Sequence, residues 1–118
     1  MRQKALLTVR YRLTRGDRQF REEMAKAAPH IAKFPGLIWK IWGFDAHRGT
    51  GLSAYLFETV ASAEAFLAGP AVAGLRHHPL VAEVACELAP IDYELPMSTG
   101  AATALASLPV RLDCEGVL

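Results

Sequence analysis

No long apolar run is present. No stretch reaches the ~18 consecutive apolar residues that a membrane-spanning helix needs. The opening Met1-Arg2-Gln3-Lys4 leads into an apolar segment too short for a secretory leader. The expectation is a cytoplasmic protein with no membrane partner. Cysteine is scarce. Cys86 lies in an apolar run and reads as a buried thiol, and Cys114 lies near the end of the chain. Two cysteines make no disulfide framework, and neither stands at metal-ligand spacing with a histidine or carboxylate. A basic excess is missing too. The net charge is +1, and Asp17, Glu22 and Glu23 dilute the run Arg10, Arg12, Arg15, Arg18 and Arg21. A nucleic-acid partner would require a basic stripe, so none is expected. There is no glycine-rich phosphate or dinucleotide turn, no Ser-His-Asp constellation and no histidine–carboxylate pair at metal spacing. Hydrolase, nucleotide-enzyme and metalloenzyme readings are set aside, and any activity is expected to need no metal, flavin or haem.

Apolar residues, by contrast, are plentiful. They make up 52% of 118 residues, rich for one small domain, and that surplus predicts a second buried surface: an oligomer interface, a pocket or both. Ala5 to Leu13 alternates with period two, Leu7, Val9, Tyr11 and Leu13 on one face, which predicts a strand. Asp17 is a candidate N-cap for an amphipathic helix over 18–33, whose apolar positions Phe20, Met24, Ala27, Ala28 and Ile31 recur every three or four residues. Pro29 predicts a kink or interruption in it. Phe34-Pro35-Gly36 is a stop and turn. Leu37 to Phe44 reads as the second strand, and a polar loop over 45–51 joins it in a hairpin to a third, Leu52 to Phe57. Helical spacing returns over Val60 to Leu67, with Thr59 or Ser62 as cap. Gly69-Pro70 interrupts it before a short segment over 71–77. Leu80 to Leu88 alternates again as the fourth strand.

The order β-α-β-β-α-β predicts an α+β domain of the ferredoxin-like type over residues 1–95, with an antiparallel sheet and both helices on one face. Residues 96–118 read as a C-terminal tail, with a helical turn near 101–108. The uncovered sheet face predicts a homodimer in which two sheets close a barrel around a cavity.

The segment Phe34-Pro35-Gly36-Leu37-Ile38-Trp39-Lys40-Ile41-Trp42 resembles the proline-glycine, tryptophan-lysine-x-tryptophan signature of the YdhR family of monooxygenases. The likeness continues through Tyr55-Leu56-Phe57 to Ser62-Ala63 and covers roughly residues 5 to 95. It implies a dimeric α+β barrel and a cofactor-free oxidation of an aromatic molecule. Two departures border the expected cavity. Leu52 and Ser53 stand where the family tends to have paired glycines, and Gly69-Pro70 breaks the second helix.

Alternation on the second strand groups Leu37, Trp39 and Ile41 on one face and Ile38, Lys40 and Trp42 on the other. The wholly apolar face is expected on the helices, and the mixed face toward the cavity. Trp42 would then be a flat wall for an aromatic ligand and Lys40 a cation beside it. The plainer alternatives are interface packing for Trp42 and a solvated Lys40. Tyr55, sharing a face with Ser53 and Phe57, could hydrogen-bond a substrate oxygen or simply be satisfied locally. Among the histidines, His77 and His78 border the broken helix and are the candidates for proton transfer, helix capping being the alternative. The site so predicted has His77, His78, Tyr55 and Lys40 as chemical groups and Trp42, Ile38, Phe57 and Ser53 as substrate contacts. Two functions are open: a cofactor-independent monooxygenase of a small aromatic or phenolic substrate, or a non-catalytic binder, isomerase or cyclase on the same scaffold.

Overall fold

The computed structural model describes residues 3–15 and 18–105. Asp17 and Cys114 therefore lie outside the described residues, as does the end of the helical turn expected over 101–108. The elements are β1 (Ala5–Leu13), α1 (Arg18–Ala32), β2 (Leu37–Asp45), β3 (Thr50–Phe57), α2 (Val60–Leu67), α3 (Pro70–Arg76), β4 (Val81–Pro90) and α4 (Leu95–Ser98). The strands form one antiparallel sheet in the order β2-β3-β1-β4. This is the ferredoxin-like split βαβ plan.

β1 is flanked on both sides, so its side chains alone decide which sheet face is inside. Ala5, Leu7, Val9, Tyr11 and Leu13 are all buried. With Tyr55, Phe57, Ala63, Phe66 and Val72 the first three form the main core under α2 and α3. Tyr11 and Leu13 join Phe20 of α1 and Leu80 in a second cluster. Burying side chains such as Leu7 and Phe57 contributes about 1.5–3 kcal/mol each. Opposite faces of β1 carry opposite chemistry: Arg10 and Arg12 point away from the helices and are exposed.

Local chemistry sets the turns. Gly36 has φ +89, and a Cβ there would run into Ser62. Glycine thus permits both the left-handed backbone and the close approach of α2. Thr59 caps α2, its Oγ accepting from the Ser62 N–H at 3.0 Å. The hairpin loop closes on Asp45, whose carboxylate accepts from the backbone N–H groups of His47 and Arg48. Pro29 does not interrupt α1; it sits in the last turns of an unbroken 15-residue helix. Its missing N–H there costs one bond near an end that frays anyway.

One expectation is reversed. Leu37 pairs with Phe57 but Trp39 pairs with Leu56, so Ile38 is an extra residue in the ladder. A bulge of this kind inverts every later side chain. Beyond it, Lys40 lies opposite Tyr55 and Trp42 opposite Ser53, on the helix side, while Trp39 and Ile41 lie on the open face. The reading that put Trp39 and Ile41 on the helices counted period two straight through the bulge. Apolarity does not discriminate here, because the open face is apolar as well: Ile41 is 60% and Leu52 52% exposed there.

The described part of the tail turns back over this open face. The Trp39 indole N–H donates to the Ala104 carbonyl at 2.6 Å, and Leu56, on the same face, is fully buried.

Candidate functional site

Between α1, the α2–α3 pair and the helix face of the sheet lies a cleft of about 540 Å³. The break at Gly69-Pro70 helps to shape it. Gly69 is extended and Pro70 opens α3 at its first position, a place where proline loses no hydrogen bond. Two short helices replace one, and the small residues Gly69, Ala71 and Gly74 border the cleft. Its walls are apolar: Met24, Ala27 and Ile31 from α1, Phe34 from the turn that follows it, and Phe66, Val72 and Leu75 from the opposite side. Val9, Tyr55 and Lys40 contribute from the sheet, and His30 and His78 also line it.

Lys40 is the unusual group. Its Nζ stands 3.2 Å from the centroid of the Trp42 ring and 4.6 Å from that of Tyr55. Among the described residues no carboxylate lies within ion-pair distance of it. Burial pushes the amine down to about 7, since a charge in an apolar setting loses its hydration. The ring faces work the other way, favouring the ammonium by about 0.5–2 kcal/mol. That is smaller than the burial effect, so a substantial neutral fraction persists near neutral pH. Tyr55 is pushed well above the ordinary phenol value, first by burial and then by Cys86 and Tyr11, so it stays protonated and available as a donor.

His78 is held at both nitrogens. The Leu80 N–H donates to Nδ1 at 3.0 Å, and Nε2 meets the Glu23 carboxylate at 2.6 Å. A nitrogen that accepts from a backbone N–H cannot carry a proton, so the proton sits on Nε2 and points at Glu23. The Glu23 carboxyl is held below its usual range, chiefly by this bond. The pair ties the turn that follows α3 to α1.

The remaining predicted positions separate. His77 is exposed, and its Nδ1–H donates to the Ala73 carbonyl at 2.8 Å, capping α3; it does not line the cleft. Trp42 is 41% exposed and covers Lys40. Ile38, the bulge residue, lines a smaller hollow beside Trp39, Lys40 and Trp42. Phe57 is fully buried against Phe34, Phe66 and Tyr55 and belongs to the core. Ser53 is buried on the strand next to Trp42. Thus Lys40, Tyr55 and His78 share one cleft with Trp42 at the amine, while His77 and Phe57 stand apart. Sequence reasoning missed Glu23, which meets His78 across 55 residues of chain; no spacing rule signals such a pair. Phe34, legible as part of the stop and turn, and Phe66, legible as an apolar position of the second helix, were also missed as cleft residues.

The open face carries a wider hollow of about 910 Å³ near Arg10, Gly43, Leu52 and Glu83. Its charges are partly spent on each other, Arg12 pairing with Glu83 at 2.9 Å. The cleft on the helix side holds the unpaired amine and is the better candidate. Among the described residues no group of three histidine, cysteine or carboxylate side chains could hold a metal ion, and no helix is long and apolar enough to cross a membrane.

A four-stranded antiparallel sheet with helices on one face and a cleft between the layers defines the ferredoxin-like α+β class. The chain belongs to the family described as "Putative mono-oxygenase ydhR", whose model matches residues 6–101. No curated protein sequence matches it closely enough to count as a relative. Among solved structures it is similar to SnoaB, a cofactor-independent oxygenase from Streptomyces nogalater, at 15% identity and a TM-score of 0.63, over 80% of this chain and 98% of that one. It is similar to the hydroxynitrile lyase of Passiflora edulis at 17% identity and a TM-score of 0.60, over 81% and 100%. A third similar structure is the haem-degrader MhuD of Mycobacterium tuberculosis, at 14% and 0.59, over 77% and 98%. Three chemistries on one plan leave the choice among them to the site.

Proposed function

We propose that the protein is a cofactor-independent monooxygenase that oxidises a small electron-rich aromatic molecule, of the hydroxyanthrone or quinol type, in the cleft between its helices and sheet. Lys40 carries the reading: an amine without a carboxylate partner, in an apolar cleft, beside two aromatic faces. The neutral amine takes a proton from the bound substrate. The resulting anion passes one electron to dioxygen, and the substrate radical and superoxide combine to a peroxide. Loss of water from the peroxide leaves the quinone, one oxygen atom in the product and one in water. The Lys40 ammonium, formed in the first step, stabilises the anions that follow, where water is scarce and charges count for more. Tyr55 stays protonated and can donate to a substrate oxygen. Family membership supports the class of reaction.

The protein is proposed to act as a homodimer paired through the open sheet face, where Ile41 and Leu52 are exposed. The cleft then lies on the far side of the sheet from the partner. This revises the expectation of a cavity between the two sheets. The decisive assay is oxygen uptake on hydroxyanthrone and quinol substrates with chelator-treated, colourless protein. Turnover with quinone as product supports the reading. Turnover that appears only after flavin, haem or metal is added rules it out. Tight aromatic binding without turnover favours a binding module instead.

A further inference from the structure

We infer that Lys40 is also a carbonyl-capture site, its amine adding to an aromatic aldehyde or ketone seated in the cleft to form an imine. Two geometric facts support this. The amine has no acid partner among the described residues, so its lone pair is not tied up in an ion pair. Lys40 also borders the same apolar cleft as Tyr55, Phe34 and Phe66, with its Nζ 4.6 Å from the centroid of the Tyr55 ring. A carbonyl on a ring held by these walls is delivered to Nζ, and proximity of this kind turns a slow bimolecular addition into a local one.

The step balances without any redox partner. The nitrogen lone pair forms the C–N bond while the C=O π pair moves to oxygen, which is protonated as the nitrogen loses a proton. The carbinolamine then expels water, and C=N replaces C=O. Burial of the amine aids the first step, because only the unprotonated form is a nucleophile. At pH 7 about half of an amine titrating near 7 is neutral, against about one in 2,500 for an ordinary lysine.

The inference uses the amine that the proposed oxygenase reaction uses as a base, but it needs no oxygen, so the two can fail separately. The probe is salicylaldehyde with sodium cyanoborohydride, which fixes each imine as a stable hydroxybenzyl amine, applied to the full chain under nitrogen near pH 7. Intact mass and peptide mapping then rank the four lysines, Lys4, Lys26, Lys33 and Lys40, and the N-terminal amine. Lys40 is expected to label at least tenfold faster than Lys33. Excess 2-naphthol, which has no carbonyl, is expected to slow Lys40 labelling and leave Lys33 unchanged. Lys40→Met is expected to lose the fast label and keep the slow ones. The naphthol arm needs no variant, so a misfolded Lys40→Met leaves the test intact. Labelling of Lys40 at the rate of Lys33, or a fast label that naphthol does not touch, overturns the inference. Labelling at Lys40 without oxygen uptake in the separate assay upholds it and removes the monooxygenase reading.

Discussion

The amine of Lys40 rests 3.2 Å above the indole of Trp42, two residues further along the same strand. Period two puts both side chains on one face of β2, and the bulge at Ile38 turns that face toward the helices. The ring excludes water from one side of the amine and the cleft walls from another. A residue that would be a solvated cation on a regular strand thereby becomes a group poised near neutrality.

That poise links stability to pH. In the unfolded chain Lys40 titrates near the ordinary lysine value, whereas in the fold burial brings it down to about 7. Between these values the unfolded state binds more protons, so stability rises with pH across the window. The cost of burying the charge is fully present below about 7 and fades as pH approaches the unfolded value. Lys40→Met, which keeps the length and removes the charge, is expected to raise the melting temperature more at pH 6 than at pH 9. Paired thermal melts of wild type and variant check this, because the difference cancels the other titrating groups. A pH-independent difference would mean that Lys40 is solvated.

The two tryptophans part company. Trp42→Ala uncovers Lys40 and is expected to return its amine toward the ordinary value. Being 41% exposed, Trp42 should cost only about 1–2 kcal/mol of stability, less than the ~3–5 of a core aromatic. Aromatic ligands should bind more weakly. Trp39→Phe removes the N–H that donates to Ala104 and should leave cleft binding unchanged, while backbone amides over 99–105 exchange faster. Ligand titration and hydrogen exchange on both variants separate the roles. Faster exchange over 99–105 in Trp42→Ala rather than Trp39→Phe would reverse the assignment.

The strands and helices of this fold were legible because their signals are local. The alternation of Leu7, Val9, Tyr11 and Leu13 marked β1 to the residue, and helical spacing over Val60 to Leu67 marked α2, with the choice of cap between Thr59 and Ser62 decided only by the structure, in favour of Thr59. The faces of β2 were not legible. A bulge leaves no mark in a run as apolar as Leu37-Ile38-Trp39, and its presence appears only in the pairing with Phe57 and Leu56. Of the site, Lys40, Tyr55 and Trp42 could be picked out by residue type. Their shared position on the helix side, and the partnership of His78 with Glu23, depend on tertiary packing between segments far apart in the chain.

Gly36 tests whether the proline-glycine turn is structural. Its φ of +89 is disfavoured for any side chain, and a Cβ would collide with Ser62. Its carbonyl also accepts from the Glu58 N–H at 2.7 Å, bracing the entry to α2. Gly36→Ala is expected to cost about 1–3 kcal/mol from the backbone alone, more with the clash. Denaturant unfolding measures it. Combining it with Ser62→Gly should recover part of the loss. No recovery would show that the backbone conformation, rather than the contact, dominates.

Lys40 and His78 both line the cleft, and what each nitrogen is already doing separates the proposed proton acceptor, Lys40, from a structural histidine. His78 Nδ1 accepts from Leu80 and Nε2–H donates to Glu23, so neither is free to take a substrate proton without breaking a bond that holds the turn after α3 in place. Glu23 is held below the usual carboxylate range by that bond. A depressed carboxyl contributes stability above its unfolded value and loses it as pH falls through its folded one. Two consequences distinguish a brace from a base. Glu23→Gln should lower the melting temperature at pH 7 and have a smaller effect as pH falls through the lowered folded value, where the wild-type carboxylate is itself protonated. His78→Asn should also destabilise, yet leave the pH at which kcat/KM rises unchanged, because that rise belongs to Lys40. Lys40→Met should abolish the rise along with the activity, and Lys40→Arg, which cannot lose its proton at any accessible pH, should be equally inactive while keeping the charge. A full pH–rate profile for the three variants decides the matter. If His78→Asn shifts or removes the ascending limb while Lys40→Arg retains activity, the proton acceptor is His78 and the pairing with Glu23 opens during turnover.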